Sequence, residues 1–504
     1  MRVTPRSLRV CIAALVLAAA VSCGAVPAPD RVPSPTASPV PAPASDPAPA
    51  GAAERIAAAR YDFGPVIGQV DDAVAVRRLP GAVVQIGHAG EVVFRQAFGS
   101  RKLAGEPGPT GEPTPAEPMT EDTMFDLASL TKSLATTVAV LQLAEQGRLR
   151  VDDPVQSHLP EFNPQHDPRR ARVTLRMLLT HTSGIAGDLS LDGPWGLDRP
   201  DKAEGVRRAL GAWVVHEPGR LFHYSDIGFI LLGAIVEKLT GEPLDVYVTE
   251  NVFAPLGMAD TRYLPVSKAC GPIRMVGNAV VEDESAEPTP CGEDRWSTSL
   301  RARIAPTSCD GDTPDLNPHR GRLLRGTVHD PTARRMGGVS GSAGVFSTAA
   351  DVGSYAQALL DRLAGRPSRF PLRRSTLQMM TSPQQPGHAP GQLDVANKAA
   401  REAVLSASDD PLLAPDYPAV PGRDLRGFGW DIDTNQSRPR GSVFPVGSFG
   451  HTGFTGVTLW IDPGSDTYVV VLANVIHQPG GPPVAPLSGR VATLAARALH
   501  LYGT

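Results

Sequence analysis

The stretch FDLASLTKSLATT, residues 125–137, places a serine and a lysine three positions apart, Ser129 and Lys132, where helical periodicity begins. Residues at this spacing share one face of a helix, so the two side chains can meet. In one interpretation, Ser129 caps the helix and Lys132 is a solvated charge on its first turn. In the other, Ser129 is a nucleophile and Lys132 helps to remove its proton, because a serine hydroxyl needs a neighbouring base. The stretch alone leaves both interpretations open.

The bulk composition excludes several classes of function. The chain has 504 residues, a hydrophobic fraction of 41% and a formal net charge of −4. These numbers support a sizeable core, and the absence of a basic run predicts no nucleic-acid partner. The cysteines lack a CxxC spacing, and Asp152 and Asp153 have no suitably spaced partner for a metal. We therefore expect neither a metal site nor a cofactor.

Residues 1–23 have the pattern of a secretory signal. A start with three arginines precedes the apolar run CIAALVLAAAV, which is too short to span a bilayer as a mature helix. The tetrapeptide AVSC at residues 20–23 resembles the lipobox of bacterial lipoproteins, in which the cysteine is lipidated. A plain cleaved signal is the alternative. We favour lipidation of Cys23, which predicts an exported protein anchored in the membrane of the bacterial cell envelope.

Residues 24–53 form a tether in this interpretation. The segment consists almost entirely of Ala, Pro, Ser and Val and contains no aromatic residue. It cannot build a core and is expected to be extended and semi-rigid. Such a tether would hold the folded domain, residues 54–504, away from a membrane.

The folded part contains three cysteines, Cys270, Cys291 and Cys309. In an oxidising compartment two of them can form a disulfide, and the sequence does not decide which two. All three lie in residues 267–325, which are poor in periodicity and rich in Pro, Gly and charge. We call residues 267–325 the excursion and expect it to be a long loop.

The periodic segments predict an α/β fold. Residues 79–99 read as a hairpin that turns at His88-Ala89-Gly90, and residues 456–474 read as a second hairpin that turns at Pro463-Gly464-Ser465. Helical patterns lie between them, ending at Gly147 and Gly241, and another helix is predicted near the carboxyl terminus. The sequence therefore predicts a sheet built from both ends of the chain and flanked by helices. A helical subdomain and the excursion would occupy about residues 140–325.

Two further segments follow the first motif in a fixed order. FHYSDIGFILLG contains Tyr224-Ser225-Asp226 before a helix, and GSFGHTGFTGVTLWIDP contains His451-Thr452-Gly453 at the start of a strand. The order S-x-x-K, then S-D-N, then K-T-G is the signature of serine β-lactamases and penicillin-binding proteins. With LLTHTSGI and GGVSGSAG around them, these motifs resemble the serine β-lactamase-like family, in the branch of class C β-lactamases, D-alanyl-D-alanine carboxypeptidases and related esterases. The resemblance implies a β-lactamase/transpeptidase-like antiparallel sheet flanked by helices.

The resemblance also implies roles for matching residues. Ser129 would be the acylated nucleophile, with Lys132 and Tyr224 sharing the proton transfers. His451, Thr452 and Gly453 would line the substrate site, with His451 in place of the usual lysine. The amides of Ser129 and Phe454 would form the oxyanion hole.

Two positions depart from the family pattern. Tyr-Ser-Asp replaces the commoner Tyr-x-Asn, so Asp226 brings a negative charge close to the lysine of the first motif. His-Thr-Gly replaces Lys-Thr-Gly, and an unperturbed His451 is mostly neutral at pH 7. A preference for substrates with a carboxylate is therefore in doubt, and esters or other amides become more plausible.

Two other histidines favour structural interpretations. His181 in LLTHTSGI is expected to pack a loop, although it could be catalytic. The pair His329-Asp330 is expected to form a turn before Pro331, although it could be a catalytic dyad.

Two functions remain open at this stage. The first is an envelope-anchored serine hydrolase that cleaves an ester or amide through an acyl-enzyme on Ser129, with a small-molecule or peptidoglycan-derived substrate. The second is a penicillin-recognising cell-wall binding or sensor protein with little turnover. A structural lipoprotein with a degenerate site is disfavoured because Ser129, Lys132 and Tyr224 are all present.

Overall fold

The structure, a computed structural model, describes residues 60–107, 112–283, 285–313, 315–318, 320–406, 409–477 and 483–504. The predicted signal, the predicted tether and Cys23 lie outside the described residues. Among the described residues, no helix combines the length and the apolar composition that crossing a membrane requires.

The described part of the chain contains strands of two to twelve residues. They are β1 (Gly81–His88), β2 (Glu91–Lys102), β3 (Glu117–Pro118), β4 (Phe125–Asp126), β5 (Arg262–Tyr263), β6 (Ala269–Cys270), β7 (Ile273–Val276), β8 (Ala279–Glu282), β9 (Trp296–Ser297), β10 (Val345–Ser347), β11 (Leu425–Arg426), β12 (Asp431–Asp433), β13 (Phe449–Gly453), β14 (Val457–Asp462) and β15 (Thr467–Ala473).

The α-helices of the described residues range from single turns to sixteen residues. They are α1 (Gly64–Ala75), α2 (Thr137–Glu145), α3 (Val155–His158), α4 (Pro168–Ala171), α5 (Leu175–Leu179), α6 (Lys202–Gly211), α7 (Asp226–Thr240), α8 (Leu244–Val248), α9 (Pro331–Arg335), α10 (Ala349–Ala364), α11 (Arg374–Met380), α12 (Gln392–Leu405) and α13 (Val484–Ala498). A π-helical segment, Lys132–Thr136, leads directly into α2.

The main sheet has eight strands in the order β11-β12-β13-β14-β15-β1-β2-β3, and every neighbouring pair is antiparallel. Strand β1 from the amino-terminal part pairs with β15 from the carboxyl-terminal part, with Ile86 opposite Val469. Both predicted hairpins are present as β1–β2 and β14–β15. The turn of the first has positive φ at Ala89 (+52°) and Gly90 (+87°), which matches the twist of a tight hairpin. The predicted α/β fold with an antiparallel sheet is confirmed.

Successive side chains of a strand point to opposite faces of the main sheet, so the core has one part on each face. On β1, Ala82 and Val84 pack in the cluster that includes Val70 of α1 and Val491 of α13. Val83, which points to the opposite face, belongs to the larger cluster formed with the central helices. Side chains alternate between faces along a strand, so one strand serves both layers. Helix α2 lies in the larger cluster, which places the Ser129–Lys132 turn in the middle of the molecule.

The excursion carries more structure than a long loop. Strands β7 and β8 form a hairpin within it, and β6 pairs with β9 in parallel. A separate apolar cluster includes Val280 and the buried Trp296. The expectation of a loop was based on weak periodicity, and these strands are too short to produce a visible period.

The predicted disulfide lies within the excursion and joins Cys270 to Cys291. Cys309 is not part of that bridge. The crosslink closes a segment of 21 residues, which restricts the unfolded chain and ties β6 to the segment that leads into β9.

Candidate active site

Ser129 lies in a tight turn immediately before the helix that leads into α2. The preceding residue, Ala128, has a φ of +45°, a conformation that costs free energy for any residue with a Cβ. The Asp126 carboxylate holds this turn, because it accepts the Ala128 amide at 2.9 Å and the His329 amide at 2.7 Å. Burial raises the pKa of Asp126 to about 6, although the two amides lower it. Asp126 therefore fixes the position of the predicted nucleophile.

Lys132 is completely buried beneath Ser129. Its Nζ donates to Ser129 Oγ at 2.9 Å and to the Ser342 carbonyl oxygen at 2.8 Å. The same ammonium group lies 2.5 Å from Asp226 Oδ1. The spacing of the first motif therefore brings the predicted pair together, and Lys132 is not the solvated charge of the first alternative.

Tyr224 reaches the same place from the segment before α7. Its hydroxyl contacts both Lys132 and Ser129, and the Lys132 ammonium lies 5.1 Å from the centre of its ring. The ring stacks on His181 at a centroid distance of 4.2 Å. His181 Nδ1 also accepts the Ser225 amide at 3.0 Å, so the neutral ring carries its proton on Nε2. His181 thus supports the Tyr224 segment, in agreement with its structural interpretation.

The charges of the three groups oppose one another. Burial by itself lowers the pKa of Lys132, but the negative charges of Asp226 and of the Tyr224 oxygen raise it, and the net pKa lies above its ordinary value. Burial also raises the pKa of Tyr224, Lys132 lowers it and Asp226 raises it, with a net upward shift. In the resting site both groups therefore hold their protons near neutral pH. If this pair acts as the base, one of its two groups must first lose a proton.

Two further carboxyl groups surround Asp226. Burial and the Asp226 charge raise the pKa of Asp188 to about 7 and that of Asp330 to about 6. Asp188 also shares a hydrogen bond with Asp226. We call Asp188, Asp226 and Asp330 the carboxyl cluster. Because these raised pKa values leave Asp188 and Asp330 partly protonated near pH 7, the net charge on this side of the cleft depends on pH.

The third motif lies on β13, which is an inner strand of the sheet. His451 is 2% exposed, and its ring lies 6.1 Å from that of Tyr224. Its Nδ1 donates to the Thr452 carbonyl oxygen at 2.7 Å, which leaves Nε2 as the acceptor nitrogen. Burial lowers the pKa of His451 well below its ordinary value, and the positive charges of Arg426 and Lys132 act in the same direction. The ring is therefore neutral at pH 7.

Gly453 allows β13 to approach the nucleophile turn. A Cβ at this position would lie 2.5 Å from the Leu127 carbonyl oxygen and 2.4 Å from a methyl carbon of Val457. Next to it, Thr455 Oγ1 donates to the Asp126 carbonyl oxygen at 2.7 Å. The absence of a side chain at Gly453 is what lets the strand and the turn pack together.

The amides of Ser129 and Phe454 were predicted to be oxyanion donors, a role that needs amides with no acceptor in the protein. Among the described residues neither amide donates to another protein group. The Phe454 side chain is 73% exposed, and its ring stacks on that of His329 at 5.7 Å. These amides lie on the two segments that Gly453 brings into contact, the nucleophile turn and the end of β13.

Several neighbours of the site carry no motif of their own. Asp126 has a weak signal, since it precedes Ser129 by three residues in the same quoted stretch. Asp330 was interpreted as part of a turn, and it does cap α9 by accepting the Ala333 amide at 2.7 Å. Its place in the carboxyl cluster depends on tertiary contacts. Asp188 and Arg426 give no local signal, because each acts from a segment far from Ser129 in sequence.

The described residues contain no candidate metal site. No group of three or more His, Cys, Asp or Glu side chains there is arranged to hold a metal ion.

Comparison with known proteins identifies the family of the chain. A profile of the β-lactamase family matches residues 66–492. A protein of Escherichia coli strain K12 named as a D-alanyl-D-alanine carboxypeptidase is 28% identical over 407 residues, which cover 78% of each chain. The N-acetylmuramyl-L-alanine amidase of Bacillus subtilis strain 168 is 29% identical over 414 residues, which cover 79% of this chain and 78% of the relative.

Solved structures show the same fold. Simvastatin synthase from Aspergillus terreus, at 23% sequence identity, superposes with a TM-score of 0.57 over 87% of this chain and 98% of its own. At that identity the likeness concerns the fold alone, whereas the family profile spans most of the chain. The protein belongs to the β-lactamase family of serine hydrolases.

Proposed function

We propose that this protein is an exported, envelope-anchored hydrolase that cleaves an ester or amide bond through an acyl-enzyme on Ser129. The observation that carries the proposal is the contact between Ser129 Oγ and Lys132 Nζ at 2.9 Å, with the Tyr224 hydroxyl touching both. Acyl transfer requires a nucleophile with a general base beside it, and Lys132 and Tyr224 are the buried candidates for that base.

The proposed reaction begins with loss of one proton from the Lys132–Tyr224 pair to the solvent. The free base then accepts the Ser129 proton while Oγ attacks the carbonyl carbon of the substrate. The amides of Ser129 and Phe454 stabilise the oxyanion, usually a large contribution to catalysis. Collapse of the intermediate breaks the scissile bond, and the leaving alcohol or amine takes the proton back from the pair. A water molecule then attacks the acyl-enzyme by the same steps and releases the acid.

The charges of the cleft guide the choice of substrate. His451 is neutral and offers no cation to a substrate carboxylate, and Arg426 behind it is fully buried. On the side of Asp226, the Lys132 ammonium is already paired with the Asp226 carboxylate and is not available to a substrate carboxylate. We therefore propose a neutral ester or amide as the preferred substrate. The names of the two bacterial relatives, a carboxypeptidase and an amidase, support a peptidoglycan fragment as the physiological source.

Incubation with three reporter substrates tests this function. We expect repeated turnover of a fluorogenic neutral ester at a rate well above that for a chromogenic cephalosporin, whose carboxylate meets no cation in the cleft. A fluorescent penicillin would show whether an acyl-enzyme accumulates.

The outcomes separate the two functions that remain open. Product released in many equivalents per protein supports a hydrolase. Stoichiometric labelling by the penicillin without turnover of any reporter would favour the sensor, and efficient cephalosporin hydrolysis with negligible esterase activity would reverse the proposed preference.

The anchor is proposed to be a lipid on Cys23, because AVSC is followed by the Pro/Ala-rich tether. We expect the mature wild-type protein to fractionate with membranes and Cys23→Ser to be released or to remain unprocessed. Cys11→Ser, which changes a cysteine inside the signal instead, is the matched control and should fractionate like the wild type. A wild-type protein found entirely in the medium would contradict the anchor.

A further inference from the structure

A cavity of about 760 Å³ lies where the excursion packs against the outer end of β2. Its volume falls in the range of small-molecule sites. Nothing in the proposed reaction uses it. Its walls combine basic and apolar side chains, and the basic ones are Arg101, Lys102, Arg301, Arg320, Arg322 and Arg325.

The cavity concentrates positive charge in a chain whose formal net charge is −4. Among the described residues that line it, the only carboxylate is Glu117. Glu117 is already paired with Arg325 at 2.5 Å and with Arg101 at 3.1 Å, and despite partial burial these contacts lower its pKa. Of the other cations, Lys102, Arg320 and Arg322 pair with no carboxylate among the residues that the structure describes.

Lys102 is a second observation that points to an anionic ligand, because its buried ammonium group has no carboxylate partner among the described residues. Its side chain lies in the cavity wall and is only 3% exposed. Its ammonium donates to the Pro115 carbonyl oxygen at 2.8 Å and to the Leu103 carbonyl oxygen at 3.4 Å, and within the described residues it pairs with no carboxylate. Burying an ammonium without a counter-ion is costly, so an anion in the cavity would stabilise this arrangement.

The floor of the cavity is apolar, and a disulfide and a hydrogen bond hold the surrounding segments in place. Val280 of β8 is 5% exposed and Leu324 is 3% exposed, and both line it. The Cys270–Cys291 disulfide and the hydrogen bond from Thr298 Oγ1 to the Cys270 carbonyl oxygen at 3.2 Å hold the wall in place. A site held in shape before binding loses less entropy when a ligand enters.

We propose that this cavity binds an organic phosphate. The apolar body of the ligand lies on Val280 and Leu324, and the phosphate meets Arg320 and Arg322, which are exposed at the rim. A phosphate group carries nearly two negative charges and several acceptor oxygens, so it suits two guanidinium groups better than a single carboxylate does.

Calorimetric titration with octyl phosphate at low ionic strength tests the site. We expect wild-type protein to bind octyl phosphate at least about ten times more tightly than inorganic phosphate or 1-octanol, because the two parts of the ligand contribute together. The variant Arg320→Ser/Arg322→Ser should bind it at least about ten times more weakly. Arg78→Ser/Arg401→Ser, which removes the same charge from exposed positions elsewhere, should bind like the wild type.

Equal losses in the two double variants would overturn the proposal, because binding would then follow net charge alone. Equal affinities for octyl phosphate and inorganic phosphate would also overturn it, since the apolar floor would contribute nothing. Val280→Glu provides a second test, because it should abolish octyl phosphate binding while an unchanged circular dichroism spectrum reports that the protein is folded. These readouts are independent of the proposed hydrolysis.

Vesicles distinguish the source of the phosphate. If vesicles of phosphatidylcholine with phosphatidic acid retain the Cys23→Ser protein, which lacks the proposed lipid anchor, but not Cys23→Ser/Arg320→Ser/Arg322→Ser, the ligand is a membrane lipid. If octyl phosphate binds and the vesicles do not, the ligand is a soluble organic phosphate. Binding of neither would overturn the site.

Discussion

Tyr224→Phe is expected to lower the acylation rate by a factor on the order of 10²–10⁴, the usual contribution of general acid–base catalysis. The substitution removes the hydroxyl that touches Ser129 and Lys132 but keeps the ring that stacks on His181 at 4.2 Å. Its effect should therefore appear in the rate and not in the fold. Pre-steady-state acylation by a chromogenic ester measures it.

Tyr468→Phe is the matched control for this prediction. Tyr468 is also buried, and its hydroxyl accepts a hydrogen bond from Gln85 Nε2 at 3.1 Å within the main sheet. We expect this variant to acylate at the wild-type rate. A Tyr224→Phe protein that acylates as fast as the Tyr468→Phe control would exclude Tyr224 from the proton transfers.

Asp226→Asn is expected to move the acid limb of kcat/KM to lower pH. The Asp226 charge raises the pKa of both Lys132 and Tyr224, so its removal lowers the pKa at which their pair loses a proton. The active form then appears at lower pH, and activity below the wild-type limb increases. Asp188 and Asp330 also respond to Asp226, so the profile reports a coupled set and not one residue.

The competing explanation is that Asp226 only caps α7. The structure assigns the cap to Ser225, whose Oγ accepts the Gly228 amide at 3.2 Å. Ser225→Ala is therefore the matched control: it should cost about 1 kcal/mol of stability and leave the acid limb in place. If Asp226→Asn also leaves the limb in place, the electrostatic account of Asp226 is wrong.

Patterns within one segment made the fold and the first motif predictable. The two hairpins could be placed because apolar runs flank short turns, and the pairing of Ser129 with Lys132 follows from their spacing of three residues across the start of a helix. Gly241 could be recognised as the end of α7, and it has the left-handed conformation that such a cap requires.

Contacts between distant segments could not be predicted in this way. The carbonyl oxygen that holds Lys132 belongs to Ser342, 210 residues further along the chain. His181 and Tyr224 stack across 43 positions, and nothing in either segment specifies the other ring. The carboxyl cluster arises from three separate segments of the chain, so the shifted pKa values of Asp188 and Asp330 depend on how those segments pack and not on local sequence.

The most direct test of the account is the identity of the serine that reacts as the nucleophile. The protein would be labelled with a fluorophosphonate, which phosphonylates an activated serine, and the modified peptide would be mapped by mass spectrometry. The account predicts a single adduct on Ser129, with no labelling and no esterase turnover in Ser129→Ala. An adduct on another serine, or full activity in Ser129→Ala, would contradict it.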